Sequence, residues 1–366
     1  VKGAAWVAQG LGLAAKTLQP KLPVNNSDLA YILFTSGTTS APSGVMISRK
    51  NLFANVESIT KVLKVGNSSI VFNDMVLAHG DGLVQGPMLC LHSGATLVRA
   101  GGFSIDSIET WLEAVRREGV THFITVPTVW AMIDRYAKYD DYFPQDRVET
   151  LSSVAAWLQP ALWDRIETRF KRSLISQYGL TETVASALYA GSSVQAGSKY
   201  AAGIPVDCEA RIQHQPGCKA EEGELQLKGD NVFSGYWNDP VRTSQTFTTD
   251  GWMKTGDLAT QDSQGCFFIT GRLKNIIMSG GFLIRPQEID EALCKHAAVK
   301  SSVTIAWPDT YFGEVPVSVV ETDDASCNEN ALMLHARDVL EPLKLPKRIV
   351  MVQSIPRGDA GKPNLT

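Results

Sequence analysis

The first half of the chain alternates two hydrophobic periods. Tyr31-Ile32-Leu33-Phe34 is a short unbroken apolar run and reads as a buried strand. Leu52, Val56, Ile59 and Leu63 then recur at helical spacing behind Ser48, a side chain suited to capping a helix. Residues 69–78 are strand-like. Residues 106–119 read as a helix through Ile108, Trp111, Leu112 and Val115, with Gly119 as its stop. A strand at 121–126, a helix at 128–136, a strand end near Val154, a helix opened by Pro160 and running to Phe170, and a short strand at 174–176 continue the pattern. Such βαβ alternation predicts a parallel sheet with helices on its faces and ligands at the carboxyl ends of its strands.

After Gly203 the period changes. Short strands at 210–213, 224–228 and 265–270, separated by turns such as Gln215-Pro216-Gly217 and Asp250-Gly251, predict a small β-rich subdomain. From about Ile276 a compact α+β pattern begins: a helix from Pro286 to Lys295, strands at 301–306 and 315–321, and a helix at 329–340. The expected fold class is therefore α/β. A large domain (residues 1–273) of parallel βαβ sheet and β-rich subdomain is followed by a smaller α+β domain (residues 274–366).

Composition narrows this picture little. A net charge of -4 gives no general pull toward nucleic acid or an anionic membrane, and no apolar run reaches spanning length. The six cysteines are scattered and never form Cys-x-x-Cys, which points to reduced thiols and a cytoplasmic protein. The start lacks both Met and a basic signal-like segment, so the native N-terminus is expected upstream.

The richest chemistry lies in Thr35-Ser36-Gly37-Thr38-Thr39-Ser40-Ala41-Pro42-Ser43-Gly44, directly after the first strand. Small residues let backbone N–H groups close on an anion, and five Ser/Thr hydroxyls in its first six positions add donors. The stretch reads as a polyphosphate cradle. It is not a Walker loop, because no Gly-Lys-Ser/Thr ending follows.

This loop resembles the phosphate loop of adenylate-forming enzymes, the superfamily of acyl-CoA synthetases, aryl-acid ligases and peptide-synthetase adenylation domains. Other segments follow in that superfamily's order: Tyr178-Gly179-Leu180-Thr181-Glu182-Thr183, Gly223-Glu224-Leu225, Gly235-Tyr236-Trp237-Asn238-Asp239-Pro240, Lys254-Thr255-Gly256-Asp257, Gly271-Arg272-Leu273-Lys274 and Gly358-Asp359-Ala360-Gly361-Lys362. The similarity runs from about Asp28 to Thr366. Relatives carry a longer segment before the loop, so the large domain is expected to lack its N-terminal part.

The resemblance implies ATP-dependent activation of a small-molecule carboxylic acid to an acyl-adenylate. Mg²⁺ assists, and the acyl group then passes to coenzyme A or to the phosphopantetheine of a carrier protein. It implies that Thr35, Ser36, Gly37, Thr38 and Thr39 bind the β- and γ-phosphates. Tyr178 faces adenine, and Asp257 and Arg272 hold the ribose. Thr181 donates to the α-phosphate, Glu182 holds the metal, and Lys362 bridges the substrate carboxylate and α-phosphate. The α+β C-terminal domain is the implied mobile lid with Lys274 as its hinge, and Gly280 and Gly281 line the thiol tunnel. The acyl pocket takes in His79, Gly80, Trp157 and Ser176. Gly80 stands where amino-acid-activating relatives carry Asp, which favours an acid without an α-amine.

Two departures from the pattern matter. Ser43 stands where relatives carry Lys, removing one charge-assisted phosphate contact. Ala155-Ala156-Trp157 replaces a Gly-rich loop, and Trp157 either shortens the pocket, stacks on an aromatic acid or fills a gap elsewhere. His79 is either a satisfied buried histidine or a pocket gate. The departures leave a second alternative, a non-catalytic nucleotide- or acyl-adenylate-binding relative.

Overall fold

The computed structural model describes residues 25–35, 43–101, 107–194, 198–214, 221–280, 282–324 and 326–356. Strands β1 (Leu29–Thr35) and β2 (Ser43–Ser48) form an antiparallel pair whose last register partners are Thr35 and Ser43. Ser48 then caps the helix Arg49–Leu63. Its Oγ accepts from Asn51 N at 3.1 Å, while Asn51 Oδ1 accepts from Ser48 N at 2.9 Å.

Strands β3 (Ile70–Phe72), β4 (Thr96–Val98), β5 (His122–Thr125), β6 (Thr150–Ser153), β7 (Leu174–Tyr178), β8 (Leu188–Ala190) and β9 (Ile204–Pro205) build a seven-stranded sheet in the order β4-β3-β5-β6-β7-β8-β9. Its first five strands run parallel and its last two pairings are antiparallel. Alternate residues of a strand face opposite sides. Val71, Ile124 and Ile175 accordingly enter a core shared with β2 and the helix Arg49–Leu63. Phe72, Phe123 and Leu174 enter a second core with the helices Ile108–Glu118, Pro127–Tyr136 and Pro160–Phe170. Both faces are covered, as a parallel sheet requires.

Strands β10 (Glu209–His214), β11 (Glu222–Lys228), β13 (Met253–Gln261) and β14 (Phe267–Arg272) form an antiparallel sheet, and β12 (Gly235–Tyr236) joins β2 instead. The pattern predicts three of these strands but not β13. Its polar run Lys254-Thr255-Gly256-Asp257 hides the period, although Asp257 is only 2 % exposed.

Strands β15 (Ile277–Ser279), β16 (Phe282–Ile284), β17 (Ser301–Asp309), β18 (Gly313–Glu321) and β19 (Arg348–Val352) make the last sheet, with β19 parallel to β18. The helices Pro286–Leu293 and Glu329–Val339 contribute Ile289, Leu293, Leu332 and Ala336 to its core. This is the α+β unit expected from the sequence. Among the described residues no helix is long and apolar enough to cross a membrane.

One placement differs from expectation. The loop after β1 does not leave the parallel sheet. It joins an antiparallel hairpin that lies in a separate three-stranded sheet, β1-β2-β12. Val45 and Ile47 of β2 are fully buried, so a hairpin side packs while Phe34 stays 63 % exposed. Of these two segments, the one at Tyr178 follows a strand of the parallel sheet.

Candidate active site

Tyr178 closes β7, and Asp257 and Arg272 are register partners on β13 and β14. The Tyr178 hydroxyl donates to Asp257 Oδ2 at 2.6 Å, and Arg272 Nε donates to Asp257 Oδ1 at 2.6 Å. One carboxylate thus joins the end of the parallel sheet to the antiparallel sheet. Burial, reinforced by the Asp257 charge, holds the Tyr178 hydroxyl far above the usual phenol range, so it stays a donor. Each carboxylate oxygen keeps a second lone pair, which leaves Asp257 able to accept from two sugar hydroxyls.

The segment after Tyr178 is held under strain. Thr181–Thr183 is a 3₁₀ turn, and the next residue, Val184, adopts φ 70°. A β-branched residue there is an outlier, and such backbone persists only when its surroundings fix it. The surroundings do so. A Cβ on Gly179 would lie 1.7 Å from Ala185 O, and one on Gly80 would lie 2.5 Å from Val184 O. The turn presents Thr181 and Glu182, both half-buried. Phe233 N donates to Glu182 O at 2.8 Å, and the Tyr236 hydroxyl donates to Glu182 Oε1 at 2.7 Å. Glu182 therefore offers a fixed hard-oxygen ligand of the kind Mg²⁺ takes alongside phosphate oxygens.

The residues expected to form the acyl pocket rest on a buried polar relay. His79 Nδ1 lies 3.4 Å from Asp81 Oδ2. Gln85 Nε2 donates to Asp81 Oδ1 at 3.0 Å and to Ser186 Oγ at 3.4 Å. Ser186 Oγ donates to Gln177 Oε1, and Gln177 Nε2 donates to Ser152 Oγ, each at 2.7 Å. Ser176, 7 % exposed, sits on β7 beside this chain. Gln85, Ser186 and Ser152 lie outside the segments that the resemblance picks out. The His79 side chain is 53 % exposed, so it is not a core histidine. Trp157 is also 53 % exposed and does not fill a core gap. Ala155 takes φ 70°, which explains why a glycine suits that position.

Thr35 lies at the hairpin neck, its Oγ1 donating to Ser43 O at 3.4 Å. Ser36, Gly37, Thr38 and Thr39, together with Gly281 and Lys362, fall outside the described residues. The backbone of Lys274 lies in the 3₁₀ turn Leu273–Asn275, between β14 and β15. Gly280 turns the β15–β16 hairpin at φ 55°, and its N donates to Phe312 O at 2.9 Å. Asp239 caps the helix Pro240–Thr246 through Arg242 N, the structural role its Asn-Asp-Pro context predicts.

The fold is that of adenylate-forming enzymes. It matches ATP-bound MatB from Rhodopseudomonas palustris with a TM-score of 0.86 at 26% identity, over 95% of this chain and 69% of that one. It also matches the o-succinylbenzoate CoA synthetase MenE from Bacillus subtilis, solved with an acyl-adenylate intermediate, at a TM-score of 0.83 and 25% identity, over 93% and 69% of the two chains. The chain belongs to the AMP-binding enzyme family. That family's model matches residues 3–237, and the model of the AMP-binding enzyme C-terminal domain matches residues 288–362.

Among curated relatives, a sulfoacetate–CoA ligase of Cupriavidus necator is 34% identical over 95% of this chain and 68% of its own length. An oxalate–CoA ligase of Arabidopsis thaliana is 31% identical over 92% and 66%. The chain spans about two thirds of the length of these relatives.

Proposed function

We propose that the protein is an ATP- and Mg²⁺-dependent acid–thiol ligase. A carboxylate oxygen attacks the α-phosphorus of ATP, the bond to the β-phosphate breaks, and pyrophosphate leaves. A thiol then attacks the acyl carbon, AMP departs, and the thiol proton passes to solvent. The observation that carries this reading is the Tyr178–Asp257–Arg272 chain beside the Thr181–Glu182 turn. A buried carboxylate with lone pairs to spare, close in the chain of contacts to a carboxylate and a hydroxyl on one turn, supports binding of a sugar, a metal and a phosphate.

In this reading Asp257 and Arg272 hold the ribose, and Tyr178 offers its ring to adenine. Thr181 donates to the α-phosphate, where charge develops. Glu182 holds Mg²⁺, which would neutralise phosphate charge when bound. Thr35 and the loop beyond it take the distal phosphates, and Lys362 bridges the carboxylate and α-phosphate. Residues 1–273 form the large domain and residues 274–366 a lid that turns about Lys274 between the two half-reactions. Gly280 and Gly281 then admit the pantetheine arm.

Coenzyme A is the acceptor we favour over a carrier protein, because the curated relatives are CoA ligases. A short acid is favoured as substrate, since related proteins are named for sulfoacetate, oxalate and malonate. His79 and Trp157 gate and floor its pocket. A cytoplasmic setting suits the five described cysteines, all of them free thiols.

The test is pyrophosphate release by the full-length protein with ATP, Mg²⁺ and hydroxylamine, across short, aryl, long-chain and amino acids. Release that depends on a short acid and on Lys362 supports the ligase. Nucleotide binding without release on any acid would support a binding protein instead.

A further inference from the structure

Among the described residues Arg242 is a cation without a carboxylate partner. It lies in the helix Pro240–Thr246 and is half-buried. Its guanidinium carbon stands 4.3 Å from the centre of the Tyr236 ring, and Nη1 donates to Ser43 Oγ. Asp239, the nearest acid in sequence, spends Oδ1 on the backbone N–H of Arg242. Among the described residues Arg242 makes no ion pair. A guanidinium has five N–H donors, and Ser43 takes one.

The location gives those donors a purpose. Ser43 is the register partner of Thr35, at the neck of the hairpin whose loop is rich in hydroxyls. On the far side of Arg242, the Tyr236 hydroxyl donates to Glu182 Oε1 at 2.7 Å. Glu182, Tyr236, Arg242 and Ser43 thus form one continuous contact chain from the metal-ligand candidate to the hairpin neck. The guanidinium carbon lies over the Tyr236 ring, and N–H donors that Ser43 does not take are left for an anion.

We propose that Arg242 supplies the cationic contact to the triphosphate tail of ATP and to the departing pyrophosphate. It takes over the charge that a lysine at position 43 would carry. This rests on the ligase reading above. Negative charge moves onto the pyrophosphate oxygens as the bond from the α-phosphorus breaks, and a pre-placed guanidinium neutralises it. Arg242 is then a catalytic residue contributed from outside the phosphate loop.

The test uses full-length protein and compares the affinities of ATP and AMP by calorimetry, with pyrophosphate release measured alongside. Arg242→Met keeps much of the side-chain bulk over Tyr236 and removes the charge. It should weaken ATP about 10- to 100-fold, the scale of one charge-assisted hydrogen bond, and leave AMP within about twofold. Arg242→Lys should lose less. Adding Ser43→Lys to Arg242→Met should restore ATP affinity to within about tenfold of the parent.

Equal loss of ATP and AMP, unchanged ATP affinity, or no rescue by Ser43→Lys would overturn the role of Arg242 while leaving the ligase reading intact. A parent protein that binds neither nucleotide would remove the ligase reading itself.

Discussion

The Tyr178 hydroxyl sits 2.6 Å from Asp257 Oδ2, although the two residues belong to different sheets. In the proposed ligase that bond would set the angle at which a nucleotide meets both. Tyr178→Phe should therefore weaken AMP and ATP to the same extent, by about 1.5 kcal/mol or roughly tenfold. Tyr178→Ala should cost more, because the ring is lost as well. Calorimetry with both nucleotides checks this, and a loss confined to ATP would place Tyr178 elsewhere in the mechanism.

Glu182 is fixed by the Tyr236 hydroxyl and by its own backbone bond to Phe233. Glu182→Gln keeps the shape and removes the charge. The Mg²⁺ concentration needed for half-maximal AMP formation should rise about tenfold, the effect of one lost charge contact. Tyr236→Phe should raise it less. A metal titration at saturating ATP separates the two, and an unchanged requirement in Glu182→Gln would remove Glu182 as the metal ligand.

Glu222 of β11 and Arg285, just before the helix Pro286–Leu293, form an ion pair with side chains 2 % and 14 % exposed. The Thr270 hydroxyl donates to the other carboxylate oxygen of Glu222. Removing one partner strands a buried charge, so Glu222→Ala should cost about 3–5 kcal/mol in urea unfolding. The double variant Glu222→Leu with Arg285→Met should recover most of that loss. Additive losses in the double variant would show that the pair does not act as a unit.

Asp290 is raised above the ordinary carboxylate range by burial, despite hydroxyl donors from Ser302 and Thr304 on Oδ1. A carboxyl raised in the folded state disfavours folding once pH climbs through that raised value. The penalty vanishes below the ordinary range, where both states are protonated. Asp290→Asn keeps Oδ1 as acceptor and carries no charge. It should raise the melting temperature at pH 7, with the gain shrinking toward zero as pH falls below about 4. A gain independent of pH would contradict this account.

Much of the scaffold was legible because its periods are clean. Pro160 and Phe170 bound a helix as their sequence suggests, and Ser48 and Gly119 cap and stop helices as their chemistry demands. What escaped was polar sequence in buried places. Strand β13 carries Asp257, and a buried carboxylate within a polar run breaks the alternation that reveals strands. Gln85, Ser186 and Ser152 escaped for a similar reason, since each is satisfied by partners distant in the chain. Arg242 could not be found by local pattern at all. Its meaning depends on Ser43, which lies 199 residues away.

The most direct test of the central claim follows one oxygen atom. The full-length protein would be given ATP, Mg²⁺, coenzyme A and an acid labelled with heavy oxygen in its carboxylate, using sulfoacetate, oxalate and malonate in turn. Attack of the carboxylate on the α-phosphorus, followed by thiol transfer, leaves one labelled oxygen on AMP. Mass spectrometry should find AMP that carries that atom, formed in step with pyrophosphate and thioester. Unlabelled AMP, or ADP and phosphate in its place, would contradict activation through an acyl-adenylate.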